Sequence, residues 1–153
     1  MRYIDDLLAV ALFGGQDCLT PTEWTNFKSD MNNFGILTWD VEEPSRTVDY
    51  LDISIKMQNG SFVTKTYQKP INLYQYIPPG SAHPLGMMEG VVHGILTQYY
   101  YQNSRQEDFW KISMQFYRHL KARGWERATL EQFFVDAYNE ICNQPKCSVM
   151  SKT

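Results

Sequence analysis

Residues 51–67 read LDISIKMQNGSFVTKTY, and the Asn59-Gly60 pair inside them decides the fold. Asn-Gly tolerates positive φ at both central positions of a two-residue hairpin turn better than almost any other dipeptide. Before it, Leu51, Ile53, Ile55 and Met57 alternate with Asp52, Ser54 and Lys56. That period of two belongs to a strand with one apolar face. After it, 61–67 supplies the return strand. A hairpin over 51–67 therefore anchors a small antiparallel sheet, which Lys69-Pro70 closes.

Toward the N-terminus, ILTWDV (36–41) is strand-like, and TPTE (20–23) has the form of a helix start. Thr20 suits the N-cap, Pro21 the first helical position, and Glu23 completes a capping box. Trp24, Phe27, Met31 and Phe34 follow at helical spacing and are expected to form one buried face, with Gly35 ending the helix. The chain opens on MRYIDDLLAV. Arg2-Tyr3-Ile4 and Leu7 to Phe13 look like two short strands, with Asp5-Asp6 at the tight turn between them. Adjacent carboxylates repel unless a cation or solvent lies beside them. The turn is thus either a metal site or a solvated bend.

Toward the C-terminus, IPPGSAHP (77–84) is a loop and helices follow. The first spans 85–102 and carries Gly86, Gly90 and Gly94 on one face. Each glycine weakens a helix by roughly 1 kcal/mol relative to alanine. Such a stripe implies the close approach of another backbone, protein or nucleic acid, and tight helix packing is the commoner cause. Ser104 with Glu107 forms a second capping box, opening a helix whose Phe109, Ile112, Phe116 and Leu120 point inward and which Gly124 stops. Thr129 caps a third, with Leu130, Phe133, Phe134, Ala137 and Ile141 apolar. The expected architecture is α+β: a small antiparallel sheet, then a three-helix bundle. Residues 1–70 form the sheet region, 71–144 the helical region, and 145–153 a flexible tail.

An apolar content of 43% suffices to bury a core, and no run of about 18 apolar residues suggests a membrane partner. Cys18, Cys142 and Cys147 are too few and too scattered for a disulfide scaffold. With no secretory signal, the expected location is intracellular, in cytoplasm or nucleus. Charge is divided: residues 1–60 carry a net −6 and residues 61–153 a net +3. A basic half can face a polyanion, though so small an excess also suits an ordinary surface. His83, His93 and His119 lack metal-ligand spacing, and FGG (13–15) lacks the lysine of a phosphate loop. Tyr99-Tyr100-Tyr101 has the chemistry to stack on bases, but at a helix end such a run is more often part core and part surface.

RYIDDLL (2–8) resembles the Tyr-x-Asp-Asp box of reverse transcriptases. The text downstream resembles the same enzymes in Penelope-like retrotransposons and their protist relatives. There a pattern FLDL-x-I … G … T-x-x-Y-x-K-P … S-x-HP recurs. Here it stands as Leu51-Asp52-Ile53-x-Ile55, Gly60, Thr64, Tyr67, Lys69-Pro70, Ser81 and His83-Pro84. The likeness covers roughly residues 1–127 and includes LKARGW (120–125).

The resemblance implies an RNA-directed DNA polymerase, a nucleotidyltransferase. Asp5 and Asp6 would be its catalytic acids and ligands of Mg2+, as part of a two-metal site. Tyr3 would lie beside the primer end. The 51–67 hairpin would sit behind the active site, with Lys65 and Lys69 meeting phosphate. The helices would form a thumb, a region sometimes described as helix-turn-helix, with Arg118 and Lys121 along the RNA template/DNA primer duplex.

In that family the fingers and the first catalytic aspartate come before the box, whereas only Met1 precedes it here. The expectation is a retroelement fragment, a palm edge and thumb, inactive alone and partnered by the missing half. Asp52 and Asp49 are not obvious substitutes for the absent carboxylate. Apolar surface should be exposed where that half would pack, with poor solubility as the result. Two other readings compete: a non-enzymatic helix-turn-helix-like nucleic-acid-binding module, and a relic without function. Mg2+-dependent behaviour lost on Asp5→Asn separates the enzyme part from the module.

Overall fold

The computed structural model describes residues 2–3, 6–10, 20–33, 36, 38–71, 73–84 and 86–143. These residues form an α+β chain with four helices, a two-stranded ladder and a three-stranded antiparallel sheet. They fall into two compact units that divide between Arg46 and Thr47.

In the first unit, β1 (Arg2–Tyr3) pairs antiparallel with β2 (Asp6–Leu7). Helix α1 (Pro21–Asn32) starts as its sequence requires. Glu23 Oε2 accepts from the Thr20 backbone N–H at 2.9 Å and from its hydroxyl at 2.7 Å. The Glu23 N–H donates back to Thr20 Oγ1 at 3.3 Å. The expected buried face does not form, because no residue of α1 is buried. Trp24 and Phe27 instead stack on each other at 5.4 Å, and Phe27 stays 39% exposed. Phe34 and Gly35 lie outside the described residues, and the helix ends on Asn33. The strand expected over 36–41 is also absent among the described residues. The Asn32 side chain takes up the backbone there: its Oδ1 accepts from the Trp39 N–H and its Nδ2 donates to the Trp39 carbonyl. With its N–H and carbonyl both taken by that side chain, Trp39 has none left for a ladder.

In the second unit, β3 (Thr47–Tyr50), β4 (Ile53–Gln58) and β5 (Ser61–Thr66) form a sheet in chain order. Asn59 (φ 51°) and Gly60 (φ 73°) both turn left-handed, as their dipeptide predicts. Strand β3 escapes sequence reading because the link to β4 is Leu51-Asp52, with Leu51 at φ 55°. Leucine carries no turn signal, and that conformation costs an L-residue roughly 1–2 kcal/mol. The apolar alternation holds in register, yet Met57 near the hairpin tip is 45% exposed while Ser54 on the polar face is 6% exposed.

Helices α2 (Met87–Gln102), α3 (Gln106–Ala122) and α4 (Arg127–Asn143) share one core. Val92, Leu96, Phe116, Leu120, Leu130 and Ile141 are its fully buried members. Ile112, Phe133 and Phe134 pack against it half-buried. Two expected caps are not made. Helix α3 begins at Gln106 behind Arg105, without a side-chain cap, because Ser104 is engaged elsewhere. Helix α4 begins at Arg127, which places Thr129 within its first turn.

Strand β5 is an edge strand whose outer side is covered by the α2–α3 link. The Thr64 N–H donates to Ser104 Oγ at 2.9 Å, and the Ser104 N–H donates to the Thr64 carbonyl at 2.9 Å. The Thr66 N–H donates to Asn103 Oδ1 at 3.0 Å, and the Thr66 hydroxyl to Gln102 Oε1 at 3.0 Å. Covered in this way, the strand cannot template pairing with another chain.

Past β5, the chain is strapped onto the bundle. Tyr74 (φ 48°) stacks on His119 with ring centroids 4.1 Å apart. Arg123 Nε donates to the Tyr76 carbonyl and Trp125 Nε1 to that of Ile77, each at 2.8 Å. The glycine stripe of α2 is not a packing surface. Gly90 and Gly94 are exposed, and a Cβ added at either would meet nothing within 4 Å.

Candidate nucleic-acid interface

The register of the first hairpin sets Tyr3 opposite Asp6 and Arg2 opposite Leu7, so two residues connect the strands. Asp6 is therefore the first residue of β2 and not a turn residue, and β2 is shorter than the expected run to Phe13. A register with Tyr3 paired to Asp6 starts the second strand one residue earlier than the expected run from Leu7. Asp6 is exposed. Asp5 and the side chain of Tyr3 lie outside what is described.

Mg2+ takes hard oxygen ligands and is usually held by one or two carboxylates together with waters and phosphate oxygens. An exposed carboxylate at a strand start suits that donor set, with Asp5 as its neighbour in sequence. Among the described residues, no group of three or more His, Cys, Asp or Glu side chains is assembled for a metal.

In the second unit, Lys65, Lys69, Arg118 and Lys121 are all exposed, and none has an ion-pair partner among the described residues. Lys65 stands on the polar face of the sheet, cross-strand from Ser54. Arg118 and Lys121 share an exposed stripe of α3 with Lys111 and Met114, spaced three or four residues apart. Lys69 belongs to the strap. Its neighbour Gln68 accepts from Gln115 Nε2 at 3.1 Å, one turn before Arg118. The strap thereby ties Lys69 to the helix that bears Arg118 and Lys121. Two other cations are structural: Arg105 donates to Gln58 and Arg123 to the Tyr76 carbonyl, each at 2.8 Å.

Beside Lys69 runs a groove of about 400 Å3 between the end of β5, the strap and α2. Asp52 and Lys69 line it on the strand side, Gln98, Tyr99 and Gln102 on the helix side, and Tyr76 from the strap. Burial holds both the Tyr76 and Tyr99 phenols above their ordinary range, and Tyr99 is the more shifted. They remain neutral hydrogen-bonding groups across the physiological range. Only Lys69 among these was legible in the sequence as a site residue. Gln98 and Gln102 reach the groove through their spacing on α2, which carries no chemical signal by itself.

The tyrosine run divides as its helix dictates: Tyr99 is buried, Tyr100 half-buried edge-on to Phe109, and Tyr101 51% exposed. His83 Nδ1 lies 2.8 Å from Ser81 Oγ within one exposed loop, a local contact that stiffens the bend. His93 Nε2 lies 2.8 Å from a carboxylate oxygen of Glu140, across α2 and α4.

Comparison with protein-family models, curated proteins and solved structures returns no match to this chain. Among the described residues, no helix is long and apolar enough to cross a membrane.

Proposed function

We propose that this chain supplies the catalytic hairpin and thumb of a retroelement reverse transcriptase, an RNA-directed DNA polymerase. One observation carries the reading: Tyr3 faces Asp6 across a hairpin closed by two residues. Such a register would let a Tyr-x-Asp-Asp box present Asp6 at the start of a strand. The ordered series from Leu51-Asp52 to His83-Pro84 supports it, as do unpaired cations on the sheet and on α3. In this role Asp5 and Asp6 would hold Mg2+ at the primer end, and Tyr3 would lie beside the primer. Bound there, the metal lowers the barrier by offsetting charge on the transferring phosphate. Lys65, Lys69, Arg118 and Lys121 bind backbone phosphates and fix the duplex in register. The fingers and the first palm aspartate of such a polymerase complete the site.

The test is binding of a fluorescent RNA template/DNA primer duplex, followed by anisotropy across a salt series. Affinity should fall linearly on logarithmic axes, and Arg118→Ala and Lys121→Ala should each reduce the slope by about 1. Mg2+ should add a binding increment at the primer end that Asp5→Asn and Asp6→Asn remove. The chain alone should not extend the primer. Duplex binding indifferent to Mg2+ and to both aspartates would instead identify a non-enzymatic helix-turn-helix-like module. No binding at low salt rejects both readings.

A further inference from the structure

We propose that the groove between α2 and the strap receives one unpaired ribonucleotide of an RNA strand. The nucleic-acid reading above supplies the ligand class; the groove's own chemistry supplies the place. Lining residues from Ile95 to Gln102 span seven steps of α2, roughly 10 Å at 1.5 Å per residue. That length and a volume of about 400 Å3 match one nucleotide and fall at the small end of ligand sites.

The polar groups are of the right kind and are free. Gln98 is exposed and has no hydrogen-bond partner among the described residues. Gln102 spends its oxygen on the Thr66 hydroxyl, which fixes the side chain and leaves its NH2 to donate. Amides carry donor and acceptor side by side, the complement of a base edge. Tyr76 and Ile95 offer apolar surface for the face of a base. Lys69 supplies an unpaired ammonium for the phosphate. Asp52 supplies a carboxylate, held in place by its backbone carbonyl, which accepts from the Tyr67 N–H at 2.8 Å. Carboxylates accept from ribose hydroxyls, and the 2′-hydroxyl is the donor that DNA lacks. A duplexed base has its edge occupied, so the ligand is an unpaired residue of the template strand.

The test uses the full chain, 15N-labelled, titrated in turn with adenosine 5′-monophosphate, its 2′-deoxy counterpart and inorganic phosphate. The ribonucleotide should shift amides at 66–69 and 95–102 together, and the deoxy form should bind about fivefold more weakly. Phosphate should perturb only the neighbourhood of Lys69. Gln98→Ala, at an exposed position that leaves the fold intact, should weaken the ribonucleotide about tenfold, and Asp52→Asn should abolish the ribose preference. Scattered shifts, or equal affinity for ribo and deoxy forms, overturn the proposal. If adenosine monophosphate fails while the duplex still binds through Arg118 and Lys121, the groove proposal alone is wrong. If the groove binds and the duplex does not, the polymerase reading is the one that falls.

Discussion

Asn103 joins the edge strand to the helical bundle through Thr66: its Oδ1 accepts from the Thr66 N–H at 3.0 Å and its Nδ2 donates to Thr66 Oγ1 at 2.8 Å. The same Nδ2 donates to the Tyr99 carbonyl at 2.7 Å, in the last turn of α2, where the Asn103 backbone N–H also donates at 3.2 Å. One 4%-exposed amide therefore satisfies a strand edge and a helix terminus together.

Asn103→Ala should destabilise the chain by about 1–3 kcal/mol, since it leaves the Thr66 strand amide unpaired while the Tyr99 carbonyl keeps its bond from the backbone N–H of residue 103. Asn103→Asp keeps an acceptor for Thr66 but sets a carboxylate against the Tyr99 carbonyl, and should be at least as harmful. Urea unfolding followed by circular dichroism measures both. A loss under about 0.5 kcal/mol would mean that water replaces the amide at no cost.

Ser104 makes its bonds with Thr64 and not with the first turn of α3. Ser104→Ala should therefore cost about 1 kcal/mol and speed hydrogen exchange at Thr64. Glu107→Gln should leave stability nearly unchanged. The opposite ranking would restore the capping box that the sequence suggests.

Gly90→Ala and Gly94→Ala should each raise stability by about 0.5–1 kcal/mol, because both positions are helical and open. Thermal unfolding tests this. A fall in melting temperature would reveal a close neighbour of the stripe.

Alkaline pH should weaken the fold through Tyr99 and Tyr76. Burial raises both phenols above their ordinary range, so the folded chain keeps protons that the unfolded chain releases. Their stabilising contribution is complete below roughly pH 10, the ordinary phenol value, and declines above it, toward a limiting slope of about 1.4 kcal/mol per pH unit for the more shifted Tyr99. Tyr99→Phe should flatten that decline. An unchanged slope in unfolding measured between pH 9.5 and 11 would exclude Tyr99 as its source.

Local chemistry was readable wherever neighbours in sequence are also neighbours in space. Thr20 and Glu23 close their box within one turn, and Asn59-Gly60 turns the chain by its own backbone preference. Apolar spacing marked Phe109, Phe116, Leu120, Leu130, Ala137 and Ile141 for the core. The reading failed where a distant group competed. Ser104 has a capper's sequence but binds Thr64, 40 residues away. ILTWDV has a strand's composition, yet Asn32 holds its backbone. The candidate site divides likewise. Asp5, Asp6 and the cations could be named from the resemblance, whereas the groove needed the strap to be laid against α2.

Sequence alone determined the turn at Asn59-Gly60 and the apolar faces of the helices after residue 86, because these follow from backbone preference and side-chain type. Tertiary structure decided the hairpin register that opposes Tyr3 to Asp6, the covering of β5 by Gln102–Ser104, and the meeting of Asp52, Lys69 and Gln98 around one groove. Each of those depends on which of several competing partners a polar group finds once the chain is closed. That choice is made by geometry across tens of residues and is written in no single stretch.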